Sequence, residues 1–222
     1  MVKPALIEHR PWLLAGVIAS IAYYFLSDNQ ADGGFAIGGV WLMLLKGAGV
    51  AFLALYAWRR TSGTDGLILV LVLALSAAAD MVLEIDFQAG GALFAASHLA
   101  AVVLYLRNRR DGATASQKLL GAALLIAAPA WTYVLTKDPM VTLYAVLLGA
   151  MAATAWTSRF PRYRVGIGAI LFVVSDWLIF SRLGTFDLAP LPDLLIWPLY
   201  FAGQLLIATG VVQTLRGEHP AR

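Results

Sequence analysis

Eight apolar runs divide this sequence, and the lysines and arginines fall almost entirely in every second gap between them. The runs cover 11–26, 35–58, 67–84, 90–106, 119–135, 140–156, 165–181 and 194–215. A helix needs ~17–25 residues to cross the ~30 Å core of a bilayer, so each run is read as a transmembrane helix. Before, between and after them, Lys3 and Arg10, Arg59 and Arg60, Arg107, Arg109, Arg110 and Lys118, then Arg159, Arg162 and Arg164, then Arg216 and Arg222 lie on one side. Only Lys137 and Arg182 lie on the other, and Lys46 falls within a run. Cytoplasmic loops carry the excess of Lys and Arg, so both chain ends are expected in the cytoplasm. The alternation also checks the number of spans, because one missed helix would have inverted it midway.

Composition removes other classes. The chain is 60% hydrophobic and 13% charged, whereas a soluble domain has about 45–50% apolar and about 25% charged residues. The runs are continuous rather than alternating, which excludes a β-barrel and leaves an all-α membrane bundle. It has no cysteine, so disulfides and thiolate-bound metals are absent. The cations are scattered over short loops and form no nucleic-acid patch. The first run is long for a signal peptide and another span follows it, so it reads as a retained helix. Residues 1–222 are therefore expected to form one multi-pass domain in a bacterial inner membrane, surrounded by lipid.

Polar residues inside the runs need a reason, since an ionisable group in hydrocarbon is costly and usually faces the bundle interior. Lys46 stands in the second run, Asp80 in the third, His98 in the fourth, Asp176 in the seventh and Gln204 in the eighth. At ~1.5 Å per residue, Asp80 lies roughly 20 Å and Asp176 about 16 Å from the cytoplasmic end, and His98 about 10 Å below the outer end. These groups converge on the central-to-outer half of the bundle. Ser76, Asp80 and Glu84 are spaced i, i+4, i+8 and share a helix face. Glu84 and Asp86 are expected at the outer interface, in water. A buried Asp–Lys pair between Lys46 and either Asp80 or Asp176 would account for some of these residues structurally. The whole set invites acid–base chemistry instead, because two carboxylates in a poor dielectric can hold different protonation states. A proton-coupled transporter or lipid flippase would use the same groups as a relay, and a lipid-binding scaffold would turn nothing over.

A short internal echo runs through the chain. Asp80 and Asp176 each follow an apolar run with a serine, while Phe94 precedes His98, and Tyr200 precedes Gln204, by four residues. This points to two related four-helix halves.

The segments LALSAAADMVLEIDF (73–87), ALFAASHLAAVVLY (92–105), AILFVVSDWLIF (169–180) and WPLYFAGQLLIA (197–208) resemble, in order and spacing, the YhhN family of lysoplasmalogenases. Ala79 stands where that family has a glycine, Gly47 where it has a proline after the second-helix lysine, and Ala101 where a tyrosine follows the histidine. The resemblance implies about eight membrane helices and hydrolysis of the vinyl-ether bond of a lysoplasmalogen, a single-chain lysophospholipid, to a fatty aldehyde and a glycerophospho-alcohol. In that chemistry Asp80 and Asp176 would share the roles of acid and stabilising anion, in either order. His98 would orient or deprotonate water. Lys46 would hold a carboxylate's charge or touch phosphate, and Ser76, Ser175 and Gln204 would orient groups. No cofactor is implied; one His and two Asp on three helices make a poor metal set.

Overall fold

The structure, a computed structural model, describes residues 10–28, 39–184, 186 and 188–217. Among these residues eight α-helices follow one another: α1 (Arg10–Asp28), α2 (Gly39–Arg60), α3 (Gly63–Val82), α4 (Phe87–Arg107), α5 (Ala115–Thr136), α6 (Pro139–Thr157), α7 (Ile167–Ser181) and α8 (Leu191–Leu215). Among the described residues the only β pairing is an isolated bridge between Arg109 and Ser158. Helices α2 to α8 are long and apolar enough to cross a membrane, α7 together with the π-helical turn Arg162–Gly166 that leads into it. The eighth, α1, is apolar over the shorter stretch Pro11–Ser27. Seven full-length spans already make this an integral multi-pass protein. The expected start of the second run at 35 lies outside the described residues.

Polar residues set the helix ends and move several beyond the apolar runs. Asp86 accepts from the Ala89 N–H at 2.9 Å and starts α4 at Phe87, three residues before the run begins. Thr114 and Gln117 form a reciprocal capping box that starts α5 at Ala115. Asp138 accepts from Met140 N–H at 2.7 Å and Val141 N–H at 3.3 Å, with Pro139 in the first turn of α6, where its missing N–H costs nothing. Only two residues join α5 to α6, and Lys137 makes that turn with a left-handed φ of 54°. Pro198, inside α8, removes the N–H that would meet the Leu194 carbonyl; the Tyr24 hydroxyl donates to that oxygen at 3.3 Å.

Sequence neighbours pack as antiparallel hairpins, but α4 lies against α6 rather than α5. The halves α1–α4 and α5–α8 meet along that α4–α6 contact and where α8 packs on α1, α2 and α3. At the arginine-rich end the α4–α5 and α6–α7 loops interlock. Buried Asn108 donates to Asp65 and to the Leu104 carbonyl, both at 2.9 Å, and accepts from Arg159 Nε at 2.7 Å. Arg107 Nε adds a 2.8 Å ion pair to Asp65. In the first turn of α7 and midway along α8, Gly168 and Gly203 bring the two backbones together: a Cβ on either would lie 2.6–2.7 Å from the other's carbonyl oxygen. Only residues without side chains allow that approach, and it places Asp176 and Gln204 on facing helices in the interior.

Candidate active site

Five helices deliver polar groups to one buried region. Asp80 comes from α3, His98 from α4, Tyr144 from α6, Asp176 from α7, and Tyr200 with Gln204 from α8. Asp80, His98, Asp176, Tyr200 and Gln204 are each at most 5% exposed. The amphipathic logic of a soluble helix is inverted here, with polar groups turned inward and apolar ones toward lipid.

Each carboxylate has its own tyrosine. Tyr200 donates its hydroxyl hydrogen to Asp80 Oδ2 at 2.7 Å, and Gln204, one turn along α8, donates from Nε2 to the Tyr200 oxygen at 3.4 Å. Tyr144 donates to Asp176 Oδ2 at 2.7 Å, and its oxygen lies 3.0 Å from His98 Nε2. A phenol has one hydrogen to give, so with Tyr144 bound to Asp176 the imidazole proton sits on Nε2 and points at the Tyr144 oxygen. His98, Tyr144 and Asp176 thus form a continuous hydrogen-bonded chain. Both tyrosine–carboxyl bonds are short, at 2.7 Å.

Aromatic rings fill the space between the two pairs. Phe172 meets the His98 ring edge-to-face at 4.9 Å and the Tyr200 ring at 5.0 Å. Phe94 meets Phe172 and Tyr200, both at 5.7 Å and nearly perpendicular. These contacts have the geometry favoured by ring quadrupoles. The carboxylates are therefore two separately anchored groups, with the Phe94 and Phe172 rings packed against His98 on one side and Tyr200 on the other.

Ser76 and Ser97 share a hydrogen bond of 2.9 Å. Ser97 donates onward to the Val72 carbonyl at 2.9 Å, so Ser76 is the donor between the two hydroxyls. Ser76, Ser97, His98 and Gln204 line a cavity of about 10 Å³, close to the room one water needs. The rest of its lining is mainly apolar, Val72, Ala101, Met151, Phe172 and Ile207 among it, so those four polar side chains would be such a water's partners.

Two residues of the expected set are employed differently. Lys46 pairs with Glu84, four residues beyond Asp80 in the turn that follows α3, rather than directly with Asp80 or Asp176. It also lies 5.7 Å from the Tyr23 ring centre, and its charge still acts on Asp80. Glu84 is about two-fifths exposed, so the pair sits nearer the interface, where holding two charges costs less desolvation than in the interior. Ser175 donates to the Ile196 carbonyl at 2.9 Å, tying α7 to α8 instead of facing the carboxylates. Among the described residues no three His, Asp or Glu side chains gather as metal ligands.

The two tyrosines are the residues that sequence reasoning passed over as carboxylate partners. Their signal was position: each is the only tyrosine of its apolar run, set inside it rather than at an interfacial end.

A profile of the YhhN family matches residues 41–211, a stretch that contains Lys46 and every residue of the buried network. The chain belongs to the YhhN family. Among curated proteins, the Lysoplasmalogenase of Mycobacterium bovis (strain ATCC BAA-935 / AF2122/97) is 31% identical over 183 residues, covering 74% of this chain and 68% of its own length. The Lysoplasmalogenase of Mycobacterium tuberculosis (strain CDC 1551 / Oshkosh) is similar to the same extent. No solved structure matches the chain.

Proposed function

We propose that this YhhN protein is a lysoplasmalogenase-type hydrolase that cleaves the vinyl-ether bond of a single-chain ether phospholipid by acid catalysis inside the membrane. What carries this reading is the pair of buried, separately anchored carboxylates, Asp80 and Asp176, with His98 joined to one of them through Tyr144. The names of its Mycobacterium relatives support the same reaction.

Vinyl ethers resist base and yield to acid. A proton delivered to the alkene carbon distal to oxygen gives an oxocarbenium ion. Water then adds to the oxygen-bearing carbon and releases a proton, and the hemiacetal collapses to aldehyde and glycerophospho-alcohol. Net, one water is consumed and the catalytic proton returns. The site supplies distinct groups for these steps. Among the described residues no cation pairs with Asp176, and it connects to His98 through Tyr144, which suits a carboxylic acid that delivers a proton and is recharged along that chain. Asp80 feels the charge of Lys46 and accepts from Tyr200, which suits an anion held against the developing cation. The cavity bounded by Ser76, His98 and Gln204 suits the attacking water. Eight spans with both chain ends in the cytoplasm of a bacterial inner membrane complete the reading, and the two four-helix halves would descend from one repeat.

The test is to incubate purified protein with lysoplasmenylethanolamine and measure aldehyde release, beside Asp80→Asn and Asp176→Asn. The expected result is loss of turnover by at least about a hundredfold in each variant. Full activity in both would remove the carboxylates from the mechanism. Lipid flux across proteoliposomes without aldehyde would favour a proton-coupled transporter built on the same network.

A further inference from the structure

A second polar feature lies at the opposite end of the bundle from the arginine clusters. Ser181 and Arg182 at the end of α7, Gly184, Phe186 and Leu188 beyond it, and Pro192 and Asp193 at the start of α8 border a cavity of about 270 Å³; among the described residues its charged lining is Arg182 and Asp193. The two form an ion pair across it, with side chains 49% and 68% exposed. Arg182 is unusual in the charge pattern, because Lys137 is the only other Lys or Arg in the loops at that end. The cavity is just below the ~300–1,000 Å³ of pockets that take drug-sized ligands, so it has room for a lipid head group and not for a fatty chain.

We propose that this cavity is the head-group site for a zwitterionic lysophospholipid, with phosphate on Arg182 and the ammonium on Asp193. This rests on the lysoplasmalogenase reading for its substrate. Guanidinium is suited to phosphate because its planar fork matches two phosphate oxygens, and a carboxylate is the natural acceptor for an ammonium N–H. A zwitterion can enter such a pair by exchange, replacing one ion pair by two. An exposed pair gives up little of its own stability in that exchange.

The placement also fits the chemistry. Asp193, Trp197 and Tyr200 are spaced i, i+4, i+7 and lie along one face of α8. Seven residues at ~1.5 Å each put Asp193 roughly 10 Å along the axis from the tyrosine that holds Asp80. From the protonated alkene carbon to the ammonium nitrogen of lysoplasmenylethanolamine is a chain of about eleven bonds of ~1.5 Å, enough to cover that distance without being fully extended. Head group in the cavity and vinyl ether beside the carboxylates are thus compatible in one molecule.

The experiment compares lysoplasmenylethanolamine with lysoplasmenic acid, the same lipid without the amine. Asp193→Asn is expected to raise KM for the ethanolamine lipid about tenfold and leave the acid unchanged; Arg182→Gln is expected to raise KM for both, with kcat altered less than KM. The exchange variant Arg182→Asp/Asp193→Arg restores a structural ion pair but presents the wrong charges to the head group. Recovery of wild-type KM by that variant, or equal effects of Asp193→Asn on both lipids, overturns the proposal. Binding is read separately from turnover by tryptophan fluorescence with acyl lysophosphatidylethanolamine, which has no vinyl ether, against inorganic phosphate. Saturable lipid binding that requires Arg182 and Asp193, in a protein that releases no aldehyde, would retain the head-group site and reject the hydrolase. Phosphate competing as well as the lipid would reduce the site to an anion pocket and overturn the proposal.

Discussion

Tyr200 on α8 donates its phenolic hydrogen to Asp80 on α3 at 2.7 Å, joining residues 120 positions apart in the sequence. That bond orients one carboxylate of the site and couples the last helix of the bundle to the third. The same device recurs between Tyr144 and Asp176. The two carboxylates are thus each tied to a phenol of their own, and Phe172 packs between His98 of one chain and Tyr200 of the other.

Tyr200→Phe keeps the ring contacts with Phe172 and Trp197 and deletes only the hydroxyl that Asp80 and Gln204 use. Losing a hydrogen bond to a charged group is worth about 1.5–3 kcal/mol, so kcat is expected to fall by roughly ten- to a hundredfold with the helical fold intact. Steady-state kinetics with far-UV circular dichroism checks this. Unchanged turnover would mean that the Asp80 carboxylate needs no anchoring.

Tyr144 links His98 to Asp176, so the effects of removing either partner overlap. His98→Gln and Tyr144→Phe are each expected to lower activity, and the double variant to lose little beyond the worse single one. A double-mutant cycle on kcat/KM measures this coupling. Independent, additive losses would show that His98 acts without the relay.

Proton transfer to carbon predicts an isotopic signature. In D₂O the aldehyde is expected to carry one deuterium at the carbon next to the carbonyl, and kcat to fall, because delivery of the proton to carbon is the demanding step. Mass spectrometry of the rapidly trapped aldehyde checks the label. Aldehyde without deuterium would exclude alkene protonation.

Gly168→Ala and Gly203→Ala each force a methyl against a carbonyl oxygen of the facing helix, where a Cβ would stand 2.7 and 2.6 Å away. Overpacking of this kind costs about 1–3 kcal/mol, so both variants are expected to melt lower in detergent and to lose activity as Asp176 and Gln204 shift apart. Gly91→Ala, which meets nothing within 4 Å, is the matched control and should melt like the wild type or slightly higher.

Much of the architecture is legible in the linear chain. Apolar runs must become helices in lipid because every backbone N–H and C=O there has to be satisfied within its own segment, and that constraint is local. The positions of Asp80, His98, Asp176 and Gln204 stood out for the same reason, since a polar group in hydrocarbon announces itself without any knowledge of its neighbours. Helix ends were less legible. Thr114 with Gln117, Asp86 and Asp138 extend α5, α4 and α6 past their apolar stretches by capping, which hydropathy does not register.

Pairing was decided only in three dimensions. Lys46 turned to Glu84 instead of Asp80, and Ser175 to the Ile196 carbonyl instead of the site, because side-chain partners depend on which helix faces lie opposite one another. The Gly168–Gly203 contact and the packing of α4 against α6 set those faces, and neither follows from the order of the helices. Tyr144 and Tyr200 show the same limit. In sequence each is one amphipathic ring among many; only after α6 meets α7, and α8 meets α3, does each hydroxyl find the single carboxylate that gives it a role. The sequence by itself determined that this chain crosses a membrane repeatedly and carries polar groups inside it. The tertiary structure decided which of them touch, since contact is a property of rotation and approach between helices, and the bilayer constrains neither.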